Sequence, residues 1–385
     1  MSIQKRTKLF IETGPLIDKR ISGTGHVAMN IIKYLSTNTT FMDGYRIILL
    51  VPFNKLKAIE RFGFNKNVEV RSIPIPARIL NGLVRYNLLP PVDLLYGRGV
   101  YLFPSFKNWP LLLSKSITYI HDVAFKVYPE FIEPRNLSLL NSQVNRFLTR
   151  TDQVITVSES SRQELLEHFP YLHEEKVSVV ENSIDTELFS PQSKQRIQEL
   201  KKKYRLPQKY FMFLSNIEPR KNIGTLLSAY EIVQKKDPSV GLMIVGGMGW
   251  LNDGVLKTIE TMQARGVPIV RPTQWVPDTD LPGLLSGAVA LVHPAFHEGF
   301  GITPLEAFAS GTPAIVSDIP VMHEVVGTDG YYLKDAANAV ELAELMQQVQ
   351  TASVDQKKLI ARAKGFSPDY CYGKLVSIIQ KKSIR

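Results

Sequence analysis

Short apolar strand patterns alternate with amphipathic helical patterns twice along this chain, and the two series meet at a polar, proline-containing stretch, Ser190–Gln195. That alternation constrains the fold most, because short apolar strands separated by helices pair in parallel and need helices over both faces. In the first series, strands are expected at Lys8–Thr13, Tyr45–Val51, Val68–Ile73, Val100–Phe103, Ile117–Ile120, Gln153–Val157 and Lys176–Val180. Helices are expected near 25–36, 55–62, 133–150 and 161–169, the last with Ser161 and Glu164 at capping-box spacing. After a charged helix at Arg196–Tyr204, the second series places strands at Tyr210–Ser215, Gly241–Gly246, Val267–Val270, Ala288–His293, Ala314–Ser317 and Tyr331–Leu333. Its helices fall near 223–235, 254–265, 280–286, 336–350 and 355–364. The expected fold is α/β: two doubly wound parallel-sheet, Rossmann-like domains, residues 1–190 and 205–365, with ligands in a shared cleft at the carboxyl ends of strands.

Charge is unevenly placed along the 385 residues. Residues 1–115 carry 17 Lys and Arg against 6 Asp and Glu, which is all of the net +10 of the chain. Such asymmetry points to an anionic partner, whether a membrane leaflet, a phosphorylated lipid or nucleic acid, or else to a solvated basic face. Within this third, Pro74–Gly97 interleaves Arg78 and Arg85 with large apolar residues. It reads either as a core helix or as a basic interfacial segment. The single cysteine, Cys371, excludes an intrachain disulfide framework and a cysteine-built zinc site. The first residues read as a strand and not as a signal peptide, and no apolar run reaches membrane-spanning length, so a cytoplasmic protein is expected.

Several stretches carry chemistry. His293–Gly311, HPAFHEGFGITPLEAFASG, sets Glu298 and Glu306 on either side of a Gly-Phe-Gly turn that opens a helix. Thr303 is the expected N-cap, Pro304 the first helical residue, and Glu306 a carboxylate placed to complete a capping box. A helix start flanked by Gly299 and Gly301 also suits a phosphate, through unpaired N–H groups and the positive dipole end. Asn216–Asn222, NIEPRKN, brings Arg220 and Lys221 to a strand exit before a helix, as a diphosphate site needs. Gly14, Gly23 and Gly25 precede the first helix without the spacing of a dinucleotide fingerprint or a P-loop. His121 and Asp122 follow a strand, where a histidine can hydrogen-bond a substrate hydroxyl or serve the structure alone. Asp278-Thr279-Asp280 has metal-binding form but no accompanying ligands, and reads as a capped helix start.

Taken together and in order, these segments resemble the family 4 retaining glycosyltransferases, which have the two-domain GT-B fold. The resemblance runs through the N-terminal glycine loop, VSESSRQELL, VVENSIDTELFSP, NIEPRKN, IVGG, WVPDTDLPGLL, EGFGITPLEAFASGTPAIVSD and HEVVG. It implies that Glu298 meets hydroxyls of the donor sugar and that Glu306 binds the ribose of the nucleotide. Arg220 and Lys221 would neutralise the departing diphosphate, aided by the backbone of Gly299, Phe300, Gly301, Ile302 and Thr303. His121 matches the cleft histidine near sugar and acceptor. Gly23, Thr24 and Gly25 match the loop over the phosphates, and Trp275 and Val276 the nucleobase side. Residues 366–385 match the closing segment that packs back on the first domain. The implied enzyme moves a hexose, mannose or a related sugar, from a GDP- or UDP-linked donor without a metal cofactor, by front-side attack. Its acceptor would be a glycan or a polyprenyl-diphosphate-linked chain in surface-polysaccharide assembly, at an anionic inner membrane face. A sugar-nucleotide epimerase or hydrolase on the same fold is the enzymatic alternative. A basic nucleic-acid-binding protein is the other, but no reading helix or aromatic platform supports it. Ser22-Gly23-Thr24-Gly25 stands where a Gly-Gly pair is commoner in the family, and Ile302-Thr303 where Leu-Pro is.

Overall fold

The computed structural model describes residues 6–18, 21–250 and 253–383. Lys19 and Arg20 of the first glycine loop lie outside them. The chain forms two compact units: residues 1–126, 134–183 and 368–385 make one, and 127–133 and 184–367 the other.

The first unit is built on seven parallel strands: β1 (Thr7–Glu12), β2 (Tyr45–Pro52), β3 (Val68–Ile73), β4 (Val100–Phe103), β5 (Lys115–Tyr119), β6 (Gln153–Thr156) and β7 (Val177–Val179). Their order is β3-β2-β1-β4-β5-β6-β7. Leu9 is paired with Ile47 on one side and Val100 on the other. Ile47 to Val51 are all buried, as strands covered on both faces require. Phe10 stacks on Tyr101 with ring centroids 4.4 Å apart in the middle of this core. The C-terminal helix Pro368–Ser383 completes the unit. It buries Cys371, Tyr372, Leu375 and Ile379, places Tyr372 5.6 Å from Tyr34, and pairs Lys374 with Glu181 at 2.8 Å.

The second unit has six parallel strands: β8 (Lys209–Leu214), β9 (Val240–Val245), β10 (Ile269–Val270), β11 (Leu291–His293), β12 (Ala314–Ser317) and β13 (Tyr331–Leu333). Their order is β10-β9-β8-β11-β12-β13. Residues 127–133 join this unit, where Phe131 stacks on Phe296 at 5.4 Å and its carbonyl accepts from Trp250 Nε1 at 2.6 Å. In each sheet the strand order reverses once, beside β1 and β4 and beside β8 and β11. Loops leaving the carboxyl ends of those strands diverge and open a crevice, which is where ligands bind in such sheets.

Two helix starts differ from the sequence expectation. The helix Glu159–His168 is capped by Ser158, whose Oγ accepts from Ser161 N at 3.0 Å. Ser161, the expected cap, is buried and donates to the His121 carbonyl at 3.2 Å. The serine three residues upstream wins because the strand β6 runs straight into it in extended conformation, which a cap residue needs. The second difference lies at the helix Ile302–Ala309 and is taken up with the site. Pro74–Gly97 is part core helix and part exposed apolar surface. Ala77–Arg85 and Asp93–Tyr96 are helical, Leu80, Val84, Leu89 and Val92 are buried, and Ile79, Tyr86, Leu88, Leu94 and Leu95 face solvent.

Candidate active site

In the second unit, the loops after β8 and β11 converge on one carboxylate. The strand β8 exits through Ser215–Glu218 into a single 3-10 turn, Pro219–Lys221. Asn222 closes that turn in a left-handed conformation (φ 56°), and its side chain donates to the carbonyls of Pro294 (3.0 Å) and Ala336 (2.6 Å). The Arg220 carbonyl in turn accepts from Phe296 N at 2.9 Å. The two loops are therefore stitched through backbone, and Arg220 and Lys221 are aimed rather than left to wander.

Glu298 lies at the centre, buried. Its Oε1 takes Lys221 Nζ in a short contact and His293 Nε2 at 2.7 Å, and its Oε2 takes Arg220 Nη1 at 3.2 Å. Arg220 also donates to the His297 carbonyl at 2.9 Å and to Glu218 Oε1 at 3.1 Å. Burial by itself pushes the Glu298 carboxyl up, but Lys221, Arg220 and His293 outweigh it and hold the group well below the usual carboxylate range. Burial draws the Lys221 ammonium down, with Glu298 opposing and Arg220 adding to the fall. The charge most firmly fixed is the carboxylate's, because three donors face it. Burial likewise lowers His293 below the ordinary histidine value against the pull of Glu298. A neutral His293 with its proton on Nε2 satisfies the carboxylate and leaves Nδ1 to accept from Thr303 Oγ1 at 3.4 Å. His293 and Glu218 were not assigned roles from the sequence. The signal that could have found them is position: one closes β11 and the other leaves β8, the two strands that flank the switch point.

The helix Ile302–Ala309 starts just beyond. Its cap is Gly301, in a left-handed conformation (φ 82°, ψ 65°), and no side chain bonds the first turn. Thr303 is therefore inside the helix and not its cap, Pro304 is the third helical residue, and Glu306 does not reach back. The physical reason is the Glu298–Gly301 turn, which enters the helix at positive φ, a conformation that glycine adopts without a Cβ penalty. The amides of Ile302 and Thr303 are thereby presented at the positive end of the helix without a side-chain oxygen over them. Gly301→Ala is expected to cost about 1–2 kcal/mol, and its Cβ would press on the Met322 methyl. Urea unfolding of the variant checks this. Glu306, one turn in, is pushed up to about 8, first by burial and then by the charge of Asp278. Asp278 follows Trp275 and Val276, the first exposed and the second buried. Asp280 is spoken for: Arg196 and Lys203 each approach it at 2.6 Å and Tyr204 at 2.7 Å. Among the described residues no cluster of three His, Cys, Asp or Glu side chains is placed to hold a metal ion.

The remaining expected residues belong to the first unit. His121 follows β5, buried, with Nε2 at 2.9 Å from the Pro104 carbonyl. A carbonyl only accepts, so Nε2 carries the proton and Nδ1 is the acceptor. Burial lowers its pKa, partly offset by Pro104 and Asp122. Gly23 is the first residue of the helix Gly23–Thr37, with Ser22 Oγ 2.7 Å from Thr24 Oγ1. Gly25 is a packing requirement, since a Cβ there would stand 2.6 Å from the Pro15 carbonyl.

Residues 21–188 match the family described as Glycosyltransferase Family 4, and residues 196–366 the family described as Glycosyl transferases group 1. Over 281 residues the chain is 29% identical to the O-antigen chain mannosyltransferase B of Escherichia coli, covering 72% of each. It is 32% identical over 225 residues to the O-antigen chain mannosyltransferase RfbU of Salmonella typhimurium, covering 58% of each, so it spans little more than half of that relative. Among solved structures, Anabaena Alr3699/HepE in complex with UDP and glucose superposes with a TM-score of 0.71 at 17% identity, over 98% of this chain and all of that one.

Proposed function

We propose that the chain, whose two halves match two glycosyltransferase family models, is a family 4 glycosyltransferase of the GT-B fold that moves a hexose, mannose or a close relative, from a nucleotide-bound donor to a growing surface glycan, with retention of configuration. The observation that carries the reading is the buried Glu298, held by Lys221, Arg220 and His293 at the strand exit that runs directly into an uncapped helix start. An ionised carboxylate kept free of bulk water suits a site that must face sugar hydroxyls and developing positive charge. The amides of Ile302 and Thr303, with the two cations beside them, suit a diphosphate.

In the proposed step the acceptor hydroxyl oxygen bonds to the anomeric carbon as the bond from that carbon to the diphosphate oxygen breaks on the same face. The acceptor proton passes to the leaving phosphate oxygen, and Arg220 and Lys221 neutralise the diphosphate in place of a metal ion. Glu306 grips the ribose, and Trp275 and Val276 border the nucleobase. Mannosyltransferase relatives support the sugar, and the UDP- and glucose-bound neighbour supports a nucleotide-sugar donor. The acceptor is a glycan carried on a polyprenyl diphosphate, met at the inner face of the cell membrane. The excess of cations in residues 1–115 supports that placement, and among the described residues no helix is long and apolar enough to cross a membrane.

Calorimetry against GDP-, UDP-, ADP- and TDP-linked sugars, followed by transfer with the tightest donor in EDTA, tests the reading. A product that forms only when acceptor is present, keeps the anomeric configuration and survives EDTA is expected. Turnover of donor alone would instead identify an epimerase or hydrolase.

A further inference from the structure

The first unit carries an apolar tip that no part of the transfer site uses. Leu94 and Leu95 are 60% and 70% exposed, and Leu112 and Leu113 are 67% and 47% exposed. The two pairs are far apart in sequence but latched together by one buried carboxylate. Asp93, 1% exposed, accepts from Leu112 N at 3.0 Å through Oδ1 and from Leu113 N at 2.6 Å through Oδ2. Val92 N donates to the Pro110 carbonyl at 3.0 Å beside it. The sequence shows two ordinary leucine runs; only the latch makes them one surface.

Two properties of this tip select its partner. First, its backbone is already satisfied. Leu94 N donates to Pro91 O at 3.3 Å, Leu95 N to Val92 O at 3.1 Å, and the other two amides go to Asp93. Arg98 Nε donates to the Leu113 carbonyl at 3.3 Å. A segment that enters the lipid boundary must bring its peptide N–H groups paired, because hydrocarbon offers no acceptor. Second, the stretch that carries the tip is cationic. From Pro74 to Lys115 the chain holds Arg78, Arg85, Arg98, Lys107 and Lys115, and its single acid is the buried Asp93. Lys115 is paired with Asp152, which leaves the arginines and Lys107 unopposed by any acid of the stretch. Exposed leucines with Arg98 bonded at their rim, on a stretch whose one acid is buried, match an anionic leaflet.

We propose that the tip formed by Leu94, Leu95, Leu112 and Leu113 docks the protein on an anionic lipid surface, with Asp93 as its latch and Arg98 at its rim. This gives a surface to the peripheral-membrane part of the function proposed above, and rests on that part alone. The tip lies before the starts of β4 and β5, at the amino end of the first sheet, and His121 follows the opposite, carboxyl end of β5. Docking therefore leaves the carboxyl end of that sheet uncovered.

The test is co-sedimentation of the full chain with vesicles of phosphatidylcholine, alone or mixed with phosphatidylglycerol. Leu94→Ser, Leu95→Ser, Leu112→Ser and Leu113→Ser are combined in one variant; as solvent-facing positions, they leave the core intact. The wild type is expected to sediment with the mixed vesicles, and the variant to bind them at least about tenfold more weakly. Arg98→Gln should weaken only the salt-sensitive share of binding. Thermal unfolding and binding of the tightest nucleotide sugar should be the same in all three proteins. Equal vesicle binding by wild type and variant overturns the proposal, as does a wild type that ignores mixed vesicles. A wild-type dimer that the variant converts to monomer, with vesicle binding unchanged, assigns the face to a second copy and also overturns it. Loss of sugar transfer in the wild type would overturn the enzymatic reading without touching the vesicle result.

Discussion

Glu298→Gln is expected to lower sugar transfer by about 10²-fold or more, the scale seen when a preorganised electrostatic group is removed. It should also destabilise the second unit, because glutamine leaves Lys221 and Arg220 buried against a neutral amide. Removing one partner of a buried pair costs about 3–5 kcal/mol. Lys221→Ala should produce a comparable loss of transfer from the other side of the pair. Steady-state kinetics with the cognate donor, alongside urea unfolding of each variant, separates the two effects: turnover must fall in protein that is still folded. Wild-type turnover in either variant would remove Glu298 and Lys221 from the mechanism. The wild-type network also sets an acid limit. Because the Glu298 carboxyl is held well below its ordinary value, its contribution to stability is present above the unfolded value of 4.5 and is lost as pH falls toward the folded one.

Glu306→Gln should act in the opposite sense on stability. The folded carboxyl titrates near about 8 against 4.5 for the unfolded chain. Between those values the folded state holds a proton that the unfolded state has released, so the contribution is full below 4.5 and declines as pH rises to about 8. A neutral glutamine does not share that decline. The variant should therefore match the wild type near about pH 5 and exceed it near about pH 9, by at most about 5 kcal/mol. Glu306 keeps partial contact with solvent, so a fraction of that limit is expected. Urea unfolding at both pH values checks it, and parallel behaviour of the two proteins would show that Glu306 is ionised throughout. If the carboxylate grips ribose, the same variant should lose nucleotide affinity, and wild-type affinity should rise with pH as Glu306 ionises.

Much of the architecture was readable because buried parallel strands are written as apolar runs. Val68–Ile73, Val100–Phe103, Ala314–Ser317 and Tyr331–Leu333 fold over the residues that the pattern marks. Helix starts were less legible. Ser161 has capping-box spacing, but Ser158 stands where the extended chain leaves β6 and takes the role. At the helix Ile302–Ala309 the cap is a backbone property of Gly301, which a search for side-chain oxygens overlooks. Glu298, Arg220 and Lys221 could each be singled out from sequence, but nothing in their spacing says that they touch. Their junction is a consequence of strand order, since β8 and β11 are neighbours although two strands separate them in sequence. His293 escaped for the same reason, as did the pairing of Leu94–Leu95 with Leu112–Leu113.

The helix Pro368–Ser383 has a consequence for how the polypeptide comes into being. The second unit is nearly continuous along the chain, whereas the first needs residues from before and after it. During synthesis the first seven strands leave the ribosome early, yet Tyr372, Leu375 and Ile379, which pack into their core, are made only after the whole second unit. Domains usually fold in order from the N-terminus as they emerge. Here the earlier-made unit must wait, partly open, while the later-made one can finish. The first unit is thus the one most exposed to misassembly until the helix Pro368–Ser383 has been made.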